Sequence, residues 1–237
     1  MARSKRPSHT NRLLDGLPHK ERQRFLAGCE HVELELGKTL AKPGKALRYV
    51  YFPTESYLSL ITELEGGACL DVALVGNEGM LGVPLVLGID VSPVRVVVQK
   101  AGPAWRMSAA QFRQALGNGS ALRPGLHSYL FVRMRQLGQT AGCTRFHVVQ
   151  QRLARWLLMI ADRGHSETFR MTHELLACAL GVRRVGVTKA ATSLQNRKLI
   201  SYTRGNITIR NRRGLEAASC GCYHADRDTY DRMMGVR

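Results

Sequence analysis

No stretch of this 237-residue chain reaches eighteen consecutive apolar residues, so no transmembrane helix is expected. The opening MARSKRPSHTNR is polar and basic and leads into no apolar run. It is not expected to be a secretory signal, and residues 1–12 read as a flexible basic tail. Cysteine is sparse: Cys29, Cys69, Cys143, Cys178, Cys220 and Cys222 are too few and too scattered for a disulfide framework. Reduced thiols in a cytoplasmic protein are therefore expected. Low-complexity tracts are missing too. The composition, 44% hydrophobic and 22% charged, is that of a folded chain burying one large core or two modest ones.

Signatures of catalysis are also wanting. GNEGMLG is glycine-rich but sits between strand and turn, without the Gly-Lys-Ser/Thr of a phosphate loop. FHVVQQRL carries no paired carboxylates, and an enzyme is not expected. The eight histidines include no i, i+4 pair. His127 and His147 have the chemistry of haem ligands, but lone histidines are ordinarily structural or surface residues. SCGCYH sets Cys220, Cys222 and His224 close together. As chemistry these are soft metal ligands or a redox pair. As packing they are the small residues of a terminal helix start, and three ligands leave a zinc shell incomplete. No metal and no resident cofactor are expected.

The most informative absence is of acid. Against 18 Asp+Glu stand 35 Lys+Arg, a net charge of +17, which favours a polyanionic partner, nucleic acid or an acidic membrane surface. The excess is concentrated: residues 175–215 hold nine Arg/Lys and no Asp or Glu. That is a local electrostatic footprint.

Along the chain, NRLLDGLPHKERQRFL offers a short amphipathic helix broken at Pro18. From Glu33 to Met107 come short runs (HVELEL, LRYVYF, YLSLIT, CLDVALV, VRVVVQ, AWRM) separated by glycine and proline turns. They indicate an antiparallel sandwich, roll or barrel. SAAQ has capping-box spacing, Ser108 to Gln111, and opens a short helix ending at Leu116. A longer helix is expected from about Leu122 or Pro124. Leu126, Leu130, Met134, Leu137 and Ala141 form its stripe, which suits either a twin helix from a second subunit or packing on its own β domain. The segment HVVQQRLARWLLMIADR should bury Val148, Leu153, Trp156, Leu157 and Ile160.

THELLACALGVRRVGVTKAATSLQNRKLISY, Thr172 to Tyr202, is the richest stretch. Thr172 is placed to cap a short helix whose inner face is Leu176, Ala179 and Leu180. Gly181 supplies a positive-φ turn. A second helix, about Arg183 to Lys198, turns Val187, Ala190, Ala191 and Leu194 inward. Short helix, glycine turn and longer helix make a helix-turn-helix. The outer face then carries Val185, Thr188, Lys189, Thr192 and Asn196, with Arg183 and Arg184 in the first turn. Such a turn can offer Arg to guanine and Val185 to a thymine methyl. SYTRGNITIR reads as a hairpin around Gly205-Asn206, a wing presenting Arg204 and Arg210 to DNA backbone. The bland alternative, a solvated basic helix pair, fits poorly because solvated faces usually mix signs. Thr172, Arg183, Arg184, Val185, Thr188, Lys189 and Arg204 are the candidate DNA contacts.

RLARWLL, YVYFP at Tyr49 to Pro53, and the T…LG…R…V…L…LI pattern across Thr172 to Ile200 resemble the Crp/Fnr superfamily of bacterial transcription regulators. The resemblance spans about Asn11 to Leu215. It implies an α+β fold: an antiparallel β-roll of the cyclic-nucleotide-binding type (13–120), a long dimerisation helix (121–144), and a winged helix-turn-helix (145–215). A C-terminal extension (216–237) follows. It further implies a homodimer reading a palindromic operator on double-stranded DNA, with RNA polymerase as a partner it allows and no membrane. Arg184, Val185 and Lys189 fall where relatives read bases. Many have an acid where Val185 stands, so a different operator is expected. Val83 and Ser92 stand where nucleotide-binding relatives have Glu and Arg, with Arg95 nearby as the one substitute cation. Without those charge-assisted contacts, cyclic AMP is not expected as effector, and the effector is left open. The N-terminal cysteines of iron–sulfur relatives are missing but for Cys29, so no such cluster is expected. The rival function is a nucleic-acid binder without sequence preference, held by phosphate contacts alone.

Overall fold

The computed structural model describes residues 10–117 and 119–235, so residues 1–9 of the expected tail lie outside the described residues. Two short helices, α1 (Arg12–Asp15) and α2 (His19–Ala27), open the described chain, interrupted at Pro18 as expected. Asn11 caps α1 by accepting from the Leu13 N–H. Seven antiparallel strands follow: β1 (Glu30–Leu34), β2 (Thr39–Ala41), β3 (Tyr49–Pro53), β4 (Tyr57–Glu63), β5 (Cys69–Val75), β6 (Arg95–Lys100) and β7 (Gly102–Ser108). They form two sheets, ordered β1-β7-β3 and β2-β6-β4-β5. A short helix α3 (Val83–Val86) lies between β5 and β6. Leu34, Tyr51, Leu58, Val75, Val96 and Val98 fill the space between the sheets. The alternation along each run makes this possible, since every second side chain faces the same way. The three-residue edge strand β2 was too short to show any period.

Ser108 and Gln111 form the capping box of α4 (Ala109–Ala115). The long helix α5 (Leu122–Phe146) leads to α6 (Val149–Gly164) and then β8 (Thr168–Arg170). The helical pair α7 (His173–Leu180) and α8 (Arg184–Asn196) follows, then the strands β9 (Ile200–Thr203) and β10 (Asn206–Ile209). The chain closes with α9 (Arg212–Ala218) and α10 (Cys222–Met234), the latter packed along α5. The small sheet of this half is ordered β8-β10-β9. Leu153, Trp156, Leu157, Leu176, Val187, Leu194 and Ile207 share one core here. The expected layout of β-roll, long helix and winged helical pair is what is found.

Three expectations need correction. Leu126 is not on an outward stripe of α5: it is fully buried beside Phe112 and Tyr129 in the core beneath β3. Leu130 is half-buried, whereas Met134, Leu137 and Ala141 are exposed, with Phe131 beside them. Val148 is exposed, because it caps α6 from an extended backbone conformation. Finally, not all thiols are free: Cys69 of β5 and Cys178 of α7 are disulfide-bonded, across a Cα–Cα distance of 5.0 Å.

Asp71 points inward from β5, and Ser59 of β4 donates to its carboxylate at 2.6 Å. Burial pushes this carboxyl up to about 8, against the opposing Ser59 hydrogen bond. Because the folded pKa lies above the unfolded value of about 3.9, the neutral form favours folding. Its contribution is complete below about pH 4 and is lost as pH rises toward about 8. The urea midpoint of the wild-type protein is therefore expected to fall over that window more than that of an Asp71→Asn variant. Parallel pH profiles for the two proteins would show that Asp71 is not the group responsible.

Candidate nucleic-acid interface

The helical pair is built as its sequence dictates. The Thr172 hydroxyl accepts from the Leu175 N–H at 3.2 Å and so caps α7. Gly181 ends α7 in the left-handed region, φ 59°, and its N–H closes on the last carbonyls of the helix. A side chain there would be strained by that φ and would crowd Leu70 of β5 at 3.1 Å. Leu176, Ala179 and Leu180 of α7 and Val187, Ala190, Ala191 and Leu194 of α8 are buried, as their spacing predicts.

The opposite face of α8 is open. Arg183, Arg184, Val185, Thr188, Lys189, Thr192 and Asn196 are all exposed. Val185 is 60% exposed, a large apolar side chain left in water at the helix start. Arg183, as N-cap residue, makes no side-chain capping bond to α8. The Gly186 N–H closes on the Arg183 carbonyl at 2.9 Å, which leaves the Arg184 and Val185 amides at the positive end of the helix dipole, where an anion is favoured. Thr188 is held in place: its hydroxyl lies 3.0 Å from His173 Nδ1 and 3.1 Å from the Arg184 carbonyl oxygen. The His173 ring stacks on Tyr202 of β9, centroids 4.4 Å apart, tying the start of α7 to the wing. Burial, and then the Arg184 charge, lower the His173 pKa, which favours the neutral ring.

The wing turns one residue earlier than GN suggests. Thr203 pairs with Asn206, so the two-residue loop is Arg204-Gly205, with φ of 50° and 81°. Positive φ at both positions is the geometry that matches strand twist in a tight hairpin. It sets Arg204 at the tip, exposed. Among the nine cations of residues 175–215, Arg212 is not part of the footprint. Its guanidinium pairs with Asp162, with Glu167 at 3.3 Å and with Glu216 at 3.1 Å, and so locks α9 to α6. Among the described residues no carboxylate is paired with Arg183, Arg184, Lys189 or Arg204.

The effector candidates are placed less favourably. Val83 starts α3 and is half-buried. Ser92 is buried, with its hydroxyl donating to the Val94 carbonyl at 2.8 Å. Arg95, the expected substitute cation, is paired with Glu63 of the neighbouring strand at 2.7 Å. A guanidinium neutralised in this way is a poor partner for a cyclic phosphate.

Residues 151–218 match the family model of the Crp-like helix-turn-helix domain. The global nitrogen regulator of Nostoc sp. strain PCC 7120 is 27% identical over 185 residues, covering 74% of this chain and 82% of that protein. Two crystal structures show the same fold. One is a transcriptional regulator of the Crp/Fnr family from Eubacterium rectale, TM-score 0.69 at 15% identity, covering 87% of this chain and 96% of that one. The other is a CRP-family regulator from Thermus thermophilus, TM-score 0.66 at 18% identity, covering 79% and 96%. Residues 151–218 thus form a Crp-like helix-turn-helix domain, which the chain carries after an antiparallel β-roll and a long helix, the fold that these solved regulators share.

Proposed function

We propose that the protein binds a palindromic operator as a homodimer, each α8 entering the major groove of one half-site. The observation that carries this reading is the outer face of α8, whose exposed cations face no acid while the inner face is sealed. In this reading Arg184, Val185 and Lys189 meet base edges, Arg183 and Thr188 flank them, and Thr172 and Arg204 hold phosphates. Two such heads place half-sites one helical turn apart, on the order of 10 bp between centres. Cyclic AMP is not the effector in this reading, supported by Val83 and Ser92 at the two positions that would need charge and by the Glu63 partner of Arg95; another small molecule, or none, fills that role.

Selection of bound duplexes from a random pool at physiological salt is expected to enrich a two-fold symmetric site of that spacing. Arg184→Ala should cost about 1–3 kcal/mol on the selected operator and relax preference at one base pair. Arg204→Ala should weaken every duplex about evenly and lower the salt slope by about one. No enrichment, or equal losses from both variants on selected and random DNA, would leave a binder without sequence preference.

A further inference from the structure

The C-terminal extension brings together four side chains that the DNA-reading surface does not use. Cys143 lies in the last turn of α5, and His147 follows it as the helix cap, its N–H closing on the Cys143 carbonyl. Four residues apart, the two share one face of the helix end. Cys220 and Cys222 bracket Gly221 at the turn into α10, which runs back along α5. The three sulfurs and the imidazole nitrogen all lie within 4.8 Å of one another. Cys143 Sγ is 3.6 Å from Cys220 Sγ, and Cys222 Sγ is 3.5 Å from His147 Nδ1.

We propose that Cys143, His147, Cys220 and Cys222 are the four ligands of one thiophilic divalent cation of the zinc class, closing a structural site at the junction of α5, α6 and α10. With Zn–S of about 2.3 Å and Zn–N of about 2.0–2.1 Å, a tetrahedral site has edges of about 3.8 Å and about 3.6 Å. The separations fit a single ion. A four-iron cluster puts each cysteine on a different iron and so holds the sulfurs apart, which this contact between thiols excludes. Cys143, Cys220 and Cys222 are 2–3% exposed, and with four protein ligands no coordination position is left for water, the mark of a structural site. Packing alone does not account for the group, because these three cysteines form a cluster of their own apart from the larger apolar cores.

The surroundings suit the charge. Three thiolates on a divalent ion leave one net negative charge, and the Arg152 and Arg155 guanidinium groups of α6 act electrostatically on the thiols. Arg155 is itself held by Asp226 of α10 at 2.6 Å. Gln139 Nε2 donates to Cys222 Sγ at 2.9 Å, the kind of outer contact that orients a ligand. His224, adjacent in sequence, is exposed and outside the group. Arg152 also donates to the Leu180 carbonyl at the end of α7. If the DNA-reading proposal holds, the ion therefore sits at the pivot that aims the helix-turn-helix.

The test uses the full chain, purified reduced and without chelator, with metal measured by mass spectrometry and Co2+ used as a spectroscopic probe. One equivalent of Zn2+ per chain is expected. The Co2+ protein should show thiolate-to-metal charge transfer and intense tetrahedral d–d bands. Cys143→Ser and Cys222→Ser should each abolish stoichiometric metal, and His224→Ala should not. His147→Cys, which keeps four ligands, should still bind Co2+ with stronger charge transfer, so a folding defect in the serine variants does not decide the matter. A reduced chain that takes up neither metal, weak octahedral Co2+ bands, a metal-free Cys143–Cys220 disulfide, or dependence on His224 would each overturn the site. Operator affinity is read separately and is expected to fall about tenfold when the ion is removed. Retained affinity with stoichiometric metal would sink the pivot role and leave the site standing, while absent metal would leave the DNA reading untouched.

Discussion

Met134→Glu is expected to turn the protein into monomers and to lower operator affinity by roughly 10²–10⁴, the avidity that linkage of two reading heads provides. On α5 the residues His127, Phe131, Met134, Gly138, Ala141 and Arg145 recur at steps of four and three, the spacing of a helix–helix seam. Phe131 is 50% exposed, Met134 70% and Leu137 45%, an apolar face of the kind that soluble chains cover with a partner. In the proposed homodimer Gly138 and Ala141 would let two backbones approach closely. A two-fold axis makes such a contact self-complementary, so a carboxylate at Met134 meets its own copy and must be desolvated beside it. Sedimentation gives the oligomeric state, and titration of a palindromic against a single half-site gives the affinity. Dimers that persist with the glutamate in place, or monomers that keep full operator affinity, would sink the seam. Met134→Ala should weaken association far less, because it deletes surface without introducing charge.

The same helix shows what sequence spacing can and cannot tell. Steps of three and four identified an apolar stripe, but α5 spans 25 residues and passes from the β-roll core out to solvent. Leu126 and Met134 thus share a sequence pattern and have opposite environments. Over the shorter α7 and α8 no such change of surroundings occurs, and every inner-face residue was legible. Arg212 was counted with the DNA footprint because its partners Asp162, Glu167 and Glu216 lie outside the window that lacks acid. The wing was legible as a hairpin, yet its turn was misplaced by one residue, since Arg204 adopts a positive φ that glycine and asparagine take more readily. The cysteine–histidine group was hidden for a different reason. Cys143 and Cys220 are joined only through the packing of α10 on α5, and no periodicity reports a contact across so long a separation. The Cys69–Cys178 bond was hidden in the same way.

The second large effect is expected at Arg163, where the helical domain meets the β-roll. Its Nε lies 2.8 Å from a Glu78 carboxylate oxygen, and both side chains are nearly inaccessible, 10% and 12% exposed. Glu78 sits in the turn after β5, where its other oxygen accepts from the Gly76 N–H at 3.0 Å. Gly76 cannot carry a side chain without displacement, because a Cβ there would meet the Arg163 Cβ at 2.9 Å. From a third direction Tyr230 of α10 donates to the Glu78 carbonyl at 2.9 Å. Arg163→Ala removes the cation and leaves the carboxylate buried, and breaking such a pair costs about 3–5 kcal/mol. Chemical denaturation should show that loss. Arg163→Met combined with Glu78→Leu should recover most of it, since neither charge then needs solvation. The two outcomes separate two physical accounts of the junction. A loss below about 1 kcal/mol from Arg163→Ala would mean that water reaches Glu78. A double variant no better than the single would mean that the pair acts through shape and hydrogen bonding and not through compensation of buried charge.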